Sequence, residues 1–111
     1  MVPNDVWNAA RAEYHCVLGK VRRDQVTPIR AGSRIVGFCH PHDSPIGRRI
    51  APLFILPEFR GRGLALSVYT RLRGTLVACV RDDNPASTRL HEKAGFVRWR
   101  RYAAGWWWKR G

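Results

Sequence analysis

Apolar positions in the first eighteen residues recur at helical spacing. Val6, Ala10, Tyr14 and Val17 form one stripe, with Trp7 and Leu18 beside it. Asn4 or Asp5 can cap that stripe, so the pattern predicts a helix over 4–18 that stops at Gly19. The period then shortens. Two β-type runs, Val26 to Ile29 and Ile35 to Cys39, flank the turn chemistry of Ala31-Gly32-Ser33 and predict a hairpin. His40-Pro41-His42-Asp43-Ser44-Pro45 is rich in breakers and predicts a loop. Ile50 to Leu56 is more continuously apolar, as a central strand should be. Pro52 inside it has no N–H for the ladder and predicts a bulge or a local parting of strands.

In the second half, Leu64, Val68 and Leu72 predict a helix over about 63–73, stopped by Gly74. Thr75 to Val80 reads as a buried strand. Asn84 and Pro85 make an N-cap and first-turn pair, and Gly95 falls where a terminating glycine belongs, giving a helix over 85–94. Phe96 to Tyr102 and Trp106 to Lys109 complete a strand pair through Ala103-Ala104-Gly105. Alternation within the Trp106-Trp107-Trp108 run sends Trp106 and Trp108 to one face and Trp107 to the other. The order α, β, β, β, α, β, α, β, β predicts one α/β domain over residues 1–111, with a mixed sheet flanked by helices.

Composition narrows the class. The chain has 111 residues, enough for one domain, and 45% of them are apolar. It carries no apolar run long enough to span a bilayer and no secretory leader pattern, so a cytoplasmic chain is expected with no membrane association. Three cysteines, Cys16, Cys39 and Cys79, show no metal-type pairing and read as reduced, packed thiols. Net charge is +12, and 17 of the 20 basic residues are Arg, the side chain suited to bidentate phosphate contacts. Such a balance fits a phosphate-rich cofactor, a nucleic acid or an acidic protein surface, and does not choose among them.

Two segments carry the candidate chemistry. The apolar run ends at Pro57, and Glu58-Phe59-Arg60-Gly61-Arg62-Gly63 leads straight into a helical pattern. A glycine-bearing turn at a helix N-terminus can aim several N–H groups at one anion, and two arginines add charge. An ordinary chain reversal is the competing reading. In the last helix Asn84, Ser87 and His91 stand at i, i+3 and i+7, hence on one face. A polar stripe with a histidine can line a cleft; a plain capped surface helix is the alternative.

Together these segments resemble the GNAT superfamily of acyl-CoA N-acyltransferases. Its [Q/R]-x-x-G-x-[G/A] motif is matched by Arg60-Gly61-Arg62-Gly63-Leu64-Ala65, and its N-x-x-[A/S]-x-x-L-[Y/H]-x-x-x-G-F motif by Asn84, Ser87, Leu90, His91, Gly95 and Phe96. The resemblance covers about residues 24–110. It implies acetyl-CoA as cofactor and transfer of an acetyl group to a primary amine, with a protein lysine or N-terminus as acceptor. It implies that Leu53, Phe54 and Ile55 pair with the pantetheine arm where strands 50–56 and 75–80 splay. Arg60, Gly61, Arg62, Gly63, Leu64, Ala65 and Leu66 would receive the pyrophosphate. Asn84 and Ser87 would hydrogen-bond the pantetheine, and His91 would be the general acid, where many members have Tyr.

The chain also departs from that pattern. The usual first strand, and with it the first helix ahead of residue 4, has no counterpart. No general base stands out: where one branch of the family has Glu, five residues before the motif Asn, this chain has Cys79. Asp43, His40 and His42 are weaker candidates for a base, and His40 with His42 lacks a third ligand for a metal, so no metal is expected. The Trp run completes the core or a sheet edge, or it forms a dimer face or a stacking platform beside Arg98, Arg100 and Arg101. The alternative function is therefore a non-catalytic module of the same fold, binding a protein or nucleic acid through that basic, Trp-rich surface.

Overall fold

Helical and strand periods alternate in the chain, and the elements form in that order. The computed structural model describes residues 1–18 and 21–111, with the side chains of 14–18 left aside, so the expected stop at Gly19 and the packing of Cys16 lie outside the described residues. Helix α1 (Asn4–Leu18) precedes strands β1 (Thr27–Ala31), β2 (Arg34–Ser44) and β3 (Gly47–Ile55). Helix α2 (Leu64–Arg71), β4 (Leu76–Arg81), α3 (Pro85–Lys93), β5 (Val97–Tyr102) and β6 (Gly105–Arg110) follow. Short 3-10 turns at Arg23–Gln25 and Pro57–Phe59 were not signalled by periodicity. The strands form a mixed six-stranded sheet in the order β1-β2-β3-β4-β6-β5. No helix among the described residues is long and apolar enough to cross a membrane.

The chain builds two compact units, interleaved in sequence: Met1–Pro41 with Ala51–Leu64, and His42–Ile50 with Ala65–Gly111. In the first, the α1 stripe meets alternate residues of β2 and β3. Val6, Trp7 and Ala10 pack on Val36, Phe38, Phe54 and Leu56, all buried. The Trp7 and Phe38 ring centroids lie 5.2 Å apart, and those of Phe38 and Phe54 6.0 Å. β1 and β2 pair antiparallel, as the hairpin signal predicted, with Ile29 opposite Gly37. A side chain at Gly37 has no room, because a Cβ would stand 2.1 Å from the Phe54 carbonyl.

One expected loop is a strand. His40 through Ser44 continue β2, which turns only at Pro45 and Ile46. The register of β1 on β2 ends at Cys39, so along that edge the N–H missing at Pro41 removes no β1 bond. The breakers mark the end of the β1 pairing and not the end of the strand.

In the second unit β4 is central. It pairs in parallel with the start of β3, at Arg48↔Leu76 and Arg49↔Val77, and antiparallel with β6 along its whole length. Leu76, Val77 and Val80 are buried, as the apolar run required. β5 closes the edge beside β6, with a register shift between Arg98 and Arg100. The predicted tryptophan alternation holds. Trp106 and Trp108 lie on the face of Val80 and α3, whereas Trp107 takes the Arg49 guanidinium over its ring.

Candidate active site

The glycine loop begins where the turn Pro57–Phe59 ends the third strand. Arg60 N–H donates to the Pro57 carbonyl, and the chain then passes through Gly61 and Gly63, both at φ 77°, into α2. That left-handed conformation favours glycine strongly. At neither position would a Cβ meet any atom within 4 Å, so packing is not the reason for the glycines; the backbone is bare on its outer side. Among the described residues, the N–H groups of Gly61, Arg62 and Gly63 donate to no backbone carbonyl. The next N–H groups, those of Leu64, Ala65 and Leu66 in the first turn of α2, have no partner within the helix by its geometry. These two runs of donors are continuous in the chain, and Leu64, Ala65 and Leu66 are half-buried.

The two arginines of the loop differ. Arg60 is spent on structure: its Nε donates to the Ile55 carbonyl at 2.8 Å, its Nη2 to Glu13 at 2.7 Å, and its guanidinium lies over Phe54. Arg62 stands over Phe59, with no carboxylate within 4 Å among the described residues. Arg62 is therefore the uncommitted cation of the loop. The end of β3 sorts in the same way. The Phe54 carbonyl is turned to β2 at Gly37, Leu56 N–H donates to Val36, and the Ile55 carbonyl receives Arg60.

In the second unit α3 brings Asn84, Ser87 and His91 together as their spacing predicted. Asn84 caps the helix, its side-chain oxygen accepting from Ser87 N–H at 3.1 Å. His91 is buried between Tyr69 and Phe96, with ring centroids 5.2 and 5.0 Å away. Its Nδ1 lies 2.7 Å from the Ser87 carbonyl and 3.4 Å from the Ser87 hydroxyl. The carbonyl can only accept, which places a proton on Nδ1. The Nε2 lies 3.0 Å from the Tyr69 hydroxyl. Burial pushes the imidazole below its ordinary 6.5, against the opposing pull of the Ser87 carbonyl. At neutral pH it is uncharged, with Nε2 accepting from the Tyr69 O–H. Tyr69, on the neighbouring helix, was missed by the sequence reading. It stands next to Val68 of the apolar stripe, and nothing in the chain signals the bond to His91.

Cys79 is exposed on β4 and so is not the packed thiol expected; Cys39 is buried as expected. The Tyr102 phenol is pushed up to about 12, first by the neighbouring Cys79 thiol and then by burial. His40, His42 and Asp43 lie along β2, and among the described residues no three His, Cys, Asp or Glu side chains gather to hold a metal. A half-open cavity of about 250 Å³ lies on the other flank of α3, lined in part by Thr88, Arg89, Arg98 and Trp106. It contains none of the predicted site residues.

Residues 3–96 match the family described as "Acetyltransferase (GNAT) family". No curated protein matches the sequence. Among solved structures the chain is similar to a protein of Pyrococcus horikoshii OT3, 20% identical, over 93% of this chain and 74% of that one, with a TM-score of 0.63. It is also similar to an acetyltransferase (GNAT family) of Bacillus anthracis, 18% identical, over 78% and 65% of the two chains, with a TM-score of 0.62. At such identity the likeness shows the fold alone. Together with the family match over most of the sequence, it establishes that the chain belongs to the GNAT family of acetyltransferases.

Proposed function

We propose that this protein is an N-acetyltransferase that uses acetyl-CoA and acts on a primary amine, a protein lysine or N-terminus. The observation that carries this reading is the bare backbone at Gly61 and Gly63: two left-handed glycines with empty space where a side chain would stand, running into the free N–H groups of α2. These residues fit a pyrophosphate. In the proposal the amides of Gly61 through Leu66 hold it, and Arg62 adds the charge that Arg60 has already given to Glu13.

Leu53 and Ile55 are assigned to the pantetheine arm through their main-chain groups, with Phe54 contributing packing, since its carbonyl is turned to β2. Asn84 and Ser87 are assigned hydrogen bonds to the same arm. Asn84 keeps its amide N–H₂ for this, because its cap uses only the oxygen. When bound, acetyl-CoA supplies an acyl group activated as a thioester. The protein must then provide a proton for the departing sulfur and receive one from the amine, whose ordinary pKa is about 10.4 for lysine. His91 is proposed as the general acid: its Nε2 first takes up, through the Tyr69 hydroxyl, the proton released by the attacking amine, and then returns it to the Tyr69 oxygen as the Tyr69 O–H proton passes to the departing sulfur.

The test is binding and turnover measured separately. Acetyl-CoA at a hundredfold excess over Kd should stabilise the protein by about 2.7 kcal/mol, and CoA should be released with a mixture of protein amines. Gly63→Glu should abolish the stabilisation, whereas His91→Phe should depress turnover and leave it nearly intact. Tight binding retained in Gly63→Glu would refute the assigned cradle. A second reading, the non-catalytic module, is favoured by the internal engagement of both His91 nitrogens. Stabilisation by acetyl-CoA without any turnover would select it.

A further inference from the structure

Both helices of the second unit lie on one face of its sheet. Pro85, Thr88 and Arg89 of α3 border one cavity with Val80, Trp106 and Trp108, and Arg110 on the same face donates to the carbonyls of Tyr69 in α2 and of Leu72 just after it. The other face carries a different set of residues. The register places Arg49 beside Val77 and Val77 beside Lys109. In the next row Cys79 lies beside Trp107, and Trp107 beside Arg100. Cys79 is exposed although it stands in the middle of a central strand, so this face is open to solvent there.

The face is both basic and aromatic. Arg49 lies 4.9 Å from the Trp107 ring centre, and the Trp99 ring carries two cations, Arg100 at 4.5 Å and Lys109 at 4.9 Å. Among the described residues none of these three cations has a carboxylate within 4 Å, although five other arginines of the chain do. The Arg49 Nε is buried and meets no acceptor. That Nε is closed to solvent, so a docked group could meet the Arg49 guanidinium only at its Nη atoms.

We propose that this face is a docking surface for an acidic peptide segment, whose carboxylates complete Arg49, Arg100 and Lys109. Carboxylates match a guanidinium already held flat on an indole, since its edge donors remain available. Single-stranded nucleic acid fits less well. Base stacking needs open aromatic faces, and the Trp99 and Trp107 rings already carry cations. The proposal does not depend on acetyl transfer and is tested without acetyl-CoA.

The probe is a short poly-glutamate peptide, with a poly-lysine peptide and oligothymidylate as comparisons. Affinity is read by titration, and location by the rate at which a thiol reagent modifies Cys79, with Cys79→Ser identifying that signal. The glutamate peptide should bind, slow Cys79 modification and weaken with salt. Arg49→Gln, Arg100→Gln and Lys109→Gln should each cost about tenfold in affinity. Arg49→Lys should recover part of that loss, and Arg98→Gln on the helix-covered face should change nothing. Unchanged thermal unfolding confirms that the variants are folded; if half-buried Arg49→Gln fails to fold, Arg100→Gln and Lys109→Gln decide the outcome. Glutamate binding that leaves Cys79 fully reactive, or is unchanged in these variants, would overturn the proposal. So would absence of glutamate binding, or oligothymidylate that displaces the peptide and protects Cys79 more strongly.

Discussion

His91 has exchanged solvent for Tyr69, Ser87 and Phe96, and that gives one residue a measurable pH signature. In the unfolded chain its imidazole titrates near 6.5, and in the folded protein burial holds it lower. Between those two values the unfolded chain binds more protons, so acid favours unfolding. The stability tied to His91 is complete above about pH 6.5 and is lost as the pH falls through the folded value. Thermal unfolding followed from pH 7.5 to 5 should show a falling midpoint, with a shallower fall in His91→Asn, which keeps a donor for the Ser87 carbonyl but does not titrate. An equal slope in that variant would mean that His91 is not held neutral. Gly105 gives a second residue-scale prediction, this one from space. A Cβ there would stand 2.1 Å from the Val80 carbonyl and 2.7 Å from the Arg81 Cα. Gly105→Ala should therefore cost about 1–3 kcal/mol through backbone displacement, measurable by denaturant unfolding. At Gly63 the same substitution meets no atom, and its penalty of about 1–2 kcal/mol comes from the left-handed backbone alone.

Caps and periods tell how much of each element could be read in advance. α3 was legible almost to the residue because Asn84, Pro85 and Gly95 act locally: a cap bond, a preset φ and a left-handed stop. The cap is testable by itself. Asn84→Ala removes the acceptor for Ser87 N–H and should destabilise α3 by about 1 kcal/mol, seen as an earlier unfolding midpoint. β2 was misread for the converse reason. Whether Pro41 breaks a strand depends on whether β1 still runs beside it, and that is set by the register of another element. The candidate site divides along the same line. The bare, left-handed turn at Gly61 and Gly63, and the shared face of Asn84, Ser87 and His91, are local patterns. The diversion of Arg60 to Glu13 and Ile55, and the Tyr69 hydroxyl at His91, depend on residues 47 and 22 positions away. No spacing rule reaches them.

At the scale of the whole molecule, charge decides how the protein responds to its solvent. Twenty basic and eight acidic side chains leave a net +12 on 111 residues. Five ion pairs are formed among the described residues, and the side chains in each are at least 40% exposed. Exposed pairs of that kind contribute roughly 0–1 kcal/mol each, and salt weakens them. Salt also screens repulsion among the remaining cations, and with an excess of twelve positive charges the repulsive pairs outnumber the attractive ones. Self-repulsion acts over about 8–10 Å at ordinary ionic strength and destabilises the compact state more than the extended chain. Raising sodium chloride from low to physiological concentration should therefore raise the unfolding midpoint. Chloride serves better than sulfate for this measurement, because sulfate also strengthens apolar burial and could bind the Gly61–Gly63 amides. A midpoint that falls with chloride would mean that the five pairs outweigh the excess charge. The basic surface would then be a balanced part of the folded protein, with no electrostatic demand for a partner.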